Sequence, residues 1–142
     1  MAADETAYNN GGNIMSRSGY CDDNDGSLYR GAVRSAMRGA RGQKFLRDLL
    51  DALLKLPDKK LIIDNLEKNG AVCALGAVGK ERGIDMTNLD PEDAHTVAAK
   101  FNIAEALARE VVYENDEGGP CAETPEQRFS RMLRWANYNW RS

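Results

Sequence analysis

Apolar residues in this chain recur at three- and four-residue spacing almost from end to end, and most of these stretches carry their own start or stop signal. That is the pattern of amphipathic helices packed around a shared core. Tyr29, Val33, Ala36, Met37 and Ala40 give a first helix over about 27–38, with Asp25 or Ser27 as its cap and a break at Gly39 and Gly42. Leu46, Leu49, Leu50 and Leu53 give a second over about 43–56, closed by Pro57. Val72, Leu75 and Val78 suggest a third, ending near Arg82, with Gly83 and then Ile84 as the expected left-handed stop. Asp90-Pro91 opens a fourth. Asn102 with Glu105 resembles a capping box and opens a fifth through Tyr113. Thr124-Pro125 with Gln127 opens the last, whose apolar face is Phe129, Met132, Leu133, Ala136 and Trp140.

One stretch resists this reading. Leu61, Ile62, Ile63 and Leu66 form an apolar run too short to separate strand from helix. The Asn69-Gly70 pair that follows is a hairpin signal, so part of 61–67 can pair with 71–73. The fold expected is therefore mainly α: a compact single domain of five to six helices over 20–142, with room for one short β-hairpin. Residues 1–19, polar and without period, read as a flexible N-terminal arm. A chain of 142 residues has room for one core and not two.

No apolar run approaches the roughly 20 residues of a membrane span, and the N-terminus lacks the basic and apolar regions of a secretory signal. A cytoplasmic location is expected, with Cys21, Cys73 and Cys121 as free thiols rather than a disulfide framework. The formal net charge of -3 conceals a segregation. Arg30, Arg34, Arg38, Arg41, Lys44 and Arg47 fall in a stretch with no acid. Acids dominate the middle of the chain, and Arg128, Arg131, Arg134 and Arg141 turn its end basic again. Such a pattern makes either a binding face or a domain that pairs with itself.

Most chemical motifs are absent. Cys21–Gly26 contains Asp-x-Asp-Gly, but a calcium loop would put Cys21 and Ala32 where carboxylates are required, so a negatively charged helix start is the plainer reading. His95 is the only histidine, without the second histidine or paired cysteine of a zinc site, and reads as a surface residue. Cys73, among small and apolar neighbours, reads as a buried structural cysteine. No phosphate-binding glycine pattern occurs. No cofactor is expected, and no catalytic motif supports an enzyme.

Two charged groups remain as candidate binding sites. Glu114, Asp116 and Glu117 lie in what reads as a Gly-rich acidic loop, able to hold a hard cation, present a negative knob to a basic partner, or simply be solvated. Arg30, Arg34 and Arg38 share one helix face that Arg41 extends, while Arg128 and Arg131 lie near Trp135 and Tyr138, off the last helix's apolar stripe. Arginine forks suit phosphate and carboxylate, and arginines beside aromatic rings suit bases or a protein interface. Pairing with the acidic middle of the same chain is the competing reading.

Ser16–Tyr20, Arg30–Val33, Arg41–Arg47, Val72-Cys-Ala-Leu-Gly-Ala-Val78, Tyr113-Glu-Asn-Asp116, and Glu123-Thr-Pro-Glu-Gln-Arg-Phe129 with Arg131–Trp135 are segments of a further kind. Together they resemble a family of small uncharacterised proteins of tailed bacteriophages and prophages. The resemblance spans about residues 15–140 and brings no known activity, cofactor or catalytic residue. It implies provenance in a bacterial host. It also raises the expectation of a non-enzymatic accessory protein that binds a host protein complex, with inhibition of a defence complex as its action. The alternative is a nucleic-acid-binding module using the arginine-bearing helices.

Overall fold

The computed structural model describes Arg17 and residues 26–141. Six helices and one hairpin make up the described chain: α1 Gly26–Arg38, α2 Ala40–Lys55, β1 Glu67–Lys68, β2 Ala71–Val72, α3 Ala74–Arg82, α4 Ala94–Phe101, α5 Glu105–Glu117 and α6 Pro125–Asn139. The expected mainly α fold with a short hairpin is what forms. Among the described residues no helix is long and apolar enough to cross a membrane. Apart from Arg17, the expected N-terminal arm lies outside the described residues, as does the cluster 21–25.

α2 is the central element, because its stripe of Phe45, Leu46, Leu49, Ala52 and Leu53 is fully closed to solvent. It packs against α3, α6 and α1, while α5 packs against α4, α1 and α3. Each buried Phe or Leu of that stripe contributes about 1.5–3 kcal/mol of transfer free energy. Gly39 alone separates α1 from α2, and Gly42 lies inside α2 rather than breaking it.

The ambiguous apolar run is neither a helix nor a full strand. Leu61 donates its N–H to the Pro125 carbonyl at 3.1 Å and Ile62 donates to Val72 at 2.9 Å, so this extended segment is threaded between α6 and β2. Asn69 and Gly70 both take positive φ and turn β1 onto β2, with Glu67 opposite Val72 and Lys68 opposite Ala71. α3 ends as expected at a left-handed Gly83, with Ile84 donating back to the Gly79 carbonyl at 2.8 Å.

Two helix starts differ from expectation. Asp90-Pro91 forms a turn, the Asp90 side chain accepting from Glu92 N at 2.9 Å. Asp93 caps α4 instead, accepting from Thr96 N at 3.1 Å. Asn102 does not open α5. It stands in the left-handed region at φ 56 and closes α4, leaving Ala104 as an N-cap without a side-chain bond. The two roles share one residue type, because the short amide that caps a helix start also tolerates a left-handed stop. At α6 the expected box is complete: Thr124 Oγ1 accepts from Gln127 N at 3.1 Å, and Gln127 Oε1 accepts from Thr124 N at 2.9 Å.

Candidate functional site

The arginine face of α1 divides on folding. Arg30, half exposed, reaches the buried Glu110 through both terminal nitrogens at 3.1 and 3.3 Å. Arg34 and Arg38 stay exposed, and neither they nor Arg141 make an ion pair among the described residues. The C-terminal end of α6 comes to lie beside them, so that Arg30, Arg34, Arg38 and Arg141 with Tyr138 and Asn139 surround a cleft of about 230 Å³ floored by Val33 and Met37. Tyr138 is 84% exposed, the most open large hydrophobic residue among the described residues. Arg41 stands apart on α2, its Nη1 3.4 Å from Asn102 Oδ1.

Gln43 builds this cleft. Its Nε2 donates to the Met37 carbonyl at 2.7 Å and to the Asn139 carbonyl at 3.2 Å, and its Oε1 accepts from Arg141 N at 2.6 Å. One amide thus ties the α1–α2 corner to the end of the chain. Nothing in the sequence marks Gln43, since a lone polar residue in a helix's first turn carries no period or motif. Tyr138 was legible only as a residue off the apolar stripe, and Arg141 only as part of the basic end of the chain.

Arg128 and Arg131 are not part of that face. Arg128 is 8% exposed, and its Nη1 donates to the Leu61 carbonyl at 2.7 Å. Arg131 grips Glu123 with Nε at 2.6 Å and Nη2 at 3.0 Å, and lies 3.6 Å from Glu114. Their work is to fasten α6 to the threaded segment and to α5. The hydrogen bonds from Arg131 hold the Glu123 carboxyl below the usual carboxylate range, with the charge of Arg128 adding to the effect. Trp135 is half-buried and packs on the core. Arg128 and Arg131 therefore form an internal fastening, because α6 turns them toward Leu61 and Glu123.

The acidic residues also turn inward. α5 continues to Glu117, so Glu114, Asp116 and Glu117 stand on its last turns and not in a loop. Asp116 receives a two-pronged bond from Arg17, Nε at 2.6 Å and Nη2 at 2.8 Å, with both side chains almost wholly buried. Burial pushes the Glu114 carboxyl up, the neighbouring charge of Glu110 adds to this, and Arg131 and Arg30 work against it. Glu117 alone is exposed. Among the described residues no group of histidine, cysteine and carboxylate side chains could hold a metal ion.

Next to Asp116, Asn115 is buried and fully used: its Oδ1 accepts from Ala74 N at 3.0 Å, and its Nδ2 donates to Ile62 O at 2.9 Å and Asp116 Oδ1 at 2.8 Å. Cys73 is buried as expected, and Cys121 is exposed. His95 is a surface residue, 86% exposed, with Nδ1 3.5 Å from Glu105. No family model matches the chain, and no curated protein or solved structure matches it either.

Proposed function

We propose that this is a non-enzymatic accessory protein that binds a macromolecule of a bacterial host through the arginine cleft between α1 and the end of α6. Its place of action in this reading is the host cytoplasm. The observation that carries it is the asymmetry of charge pairing. Arg17, Arg30, Arg82, Arg109, Arg128 and Arg131 are all engaged with carboxylates. Arg34, Arg38 and Arg141 gather at one cleft with no ion pair among the described residues, while Arg41, Arg47 and Arg134, likewise without one, stand outside it. Uncompensated guanidiniums held side by side repel one another, and an anionic partner relieves that cost. The resemblance to phage and prophage proteins supports a host protein complex as the partner, with inhibition of a defence complex as the outcome.

Affinity purification of the tagged protein from its host, with and without nuclease, tests this. A host protein retained in stoichiometric amount after nuclease, and lost from the Arg34→Glu/Arg38→Glu variant, is the expected result. Equal recovery by the variant would overturn it.

A second reading, nucleic-acid binding, is favoured by Tyr138, whose exposed ring beside three unpaired arginines suits base stacking. It requires binding of single-stranded DNA or RNA at low salt that weakens steeply as salt rises, and that is reduced by Tyr138→Ala and by Arg34→Ala. Arg131 is unsuited to this test, because its replacement would strike the Glu123 fastening.

A further inference from the structure

The arginine cleft suits one compact group better than a length of partner. Its volume is about 230 Å³, below the roughly 300–1,000 Å³ of pockets that enclose a whole drug-sized ligand. Three guanidiniums with no ion pair among the described residues, Arg34, Arg38 and Arg141, line that small space. The fourth, Arg30, is held by Glu110. A carboxylate or a backbone phosphodiester brings a single charge, and several such groups crowded into the cleft would repel one another. A phosphate monoester brings about −1.5 to −2 charges at neutral pH and three strong acceptor oxygens on one atom. It satisfies several arginine forks at once.

Two features extend the site past a phosphate. Tyr138 lines the same cleft and is almost fully exposed, so its ring is open to stack a base. An open hollow of about 390 Å³ adjoins the cleft through Arg38 and Arg141, which border both. Gln43 borders the hollow too, but its amide is spent on Met37, Asn139 and Arg141. It fixes the backbone of Arg141 and leaves the ligand to the guanidiniums. Space for a sugar and a base thus continues directly from the phosphate position.

We propose that the arginine cleft recognises a nucleoside 5′-phosphate, with the phosphate monoester on Arg34, Arg38 and Arg141 and the base against Tyr138. The inference rests on the second reading of this site, nucleic-acid binding, and narrows it from the backbone of a strand to its phosphorylated end. A free mononucleotide carries the same chemistry.

Fluorescence anisotropy of the full chain with a short single-stranded DNA oligomer, labelled at its 3′ end, tests this at one fixed ionic strength. The oligomer with a 5′-phosphate is expected to bind about tenfold more tightly than the same oligomer with a 5′-hydroxyl, the scale of a charged hydrogen bond. Arg38→Ala and Arg141→Ala are expected to remove that preference. Tyr138→Leu is expected to weaken both oligomers about fivefold or more, the scale of one lost base stack, and to keep the preference. Adenosine 5′-monophosphate as competitor separates the two sources. Displacement near the oligomer's own Kd assigns the site to the free nucleotide, displacement only in large excess assigns it to the strand end, and either supports the proposal. Equal affinity for the two oligomers overturns it, as does a preference that survives in Arg38→Ala and Arg141→Ala. Displacement by O-phosphoserine as effective as by the nucleotide also overturns it, in favour of a phosphorylated protein. Salt-sensitive binding of both oligomers without preference would leave nucleic-acid binding standing and remove only the recognition of the end.

Discussion

Arg131 and Glu123 show how much a single pair carries in this molecule. The Glu123 side chain is 5% exposed, and two arginines converge on it. Truncating one partner of a buried pair leaves the other charge without compensation, so Arg131→Ala is expected to lower stability by about 3 kcal/mol, read as a shift in the denaturation midpoint. The same pair sets an acid limit. The Glu123 carboxyl is held below its unfolded value by the Arg131 hydrogen bonds. Its contribution is thus fully present above the ordinary carboxylate range and is lost as pH falls through the lowered folded value. Glu114 runs the other way: its carboxyl is raised by burial, so its ionisation costs stability at neutral pH and the cost disappears on acidification. Thermal midpoints measured from pH 7 down to pH 3 (about the span over which carboxylates titrate) are expected to fall less steeply in Glu123→Gln and more steeply in Glu114→Gln. Parallel curves for wild type and Glu123→Gln would contradict the assignment.

At the scale of elements, the helices were legible where a boundary is a local matter. Thr124 with Gln127 and Gly83 with Ile84 close hydrogen bonds to near neighbours in sequence, and both formed as read. Asn102 misled, because its short amide serves equally as a start and as a stop; what decided was Ile103, buried at 3% and donating back to the Ala98 carbonyl at 3.0 Å. The small residues of α3 allow close approach. A Cβ on Gly76 would strike the Leu66 carbonyl oxygen, whereas one on Gly31 would meet open space on α1. Gly76→Ala is expected to destabilise by about 1–3 kcal/mol through overpacking. Gly31→Ala is expected to stabilise by about 0.5–1 kcal/mol through helix propensity. Chemical denaturation of the two variants checks both signs together.

Across the whole molecule, charge segregation along the chain became charge pairing across the fold. Arg30 meets Glu110, Arg17 meets Asp116 and Arg131 meets Glu123, so part of the basic ends closes onto acids distant in sequence or on a neighbouring turn. Among the described residues Arg34, Arg38, Arg41, Arg47, Arg134 and Arg141 are left without an ion pair, and three of these six line the arginine cleft. Binding there is expected to weaken as ionic strength rises, while Arg34→Ala/Arg38→Ala leaves the unfolding midpoint nearly unchanged. Titration calorimetry against the captured partner at two salt concentrations, with denaturation curves alongside, checks both. A large loss of stability in that variant would mean these arginines hold the fold instead.

The sequence by itself determined the helical class, the apolar stripes, the hairpin turn at Asn69-Gly70 and the burial of Cys73, since each depends on period or on the backbone preference of neighbouring residues. Only the tertiary structure decided which charges are spent and which are left over. Arg34 and Arg128 are the same residue type on helices of similar pattern, yet one lines an open cleft and the other is 8% exposed against the Leu61 carbonyl. Arg17 meets Asp116 across 99 positions, and Gln43 meets Asn139 across 96. Contacts of that range leave no local period to read, because the free energy that selects them arises only once α2 and α5 have buried their stripes and brought the distant segments together.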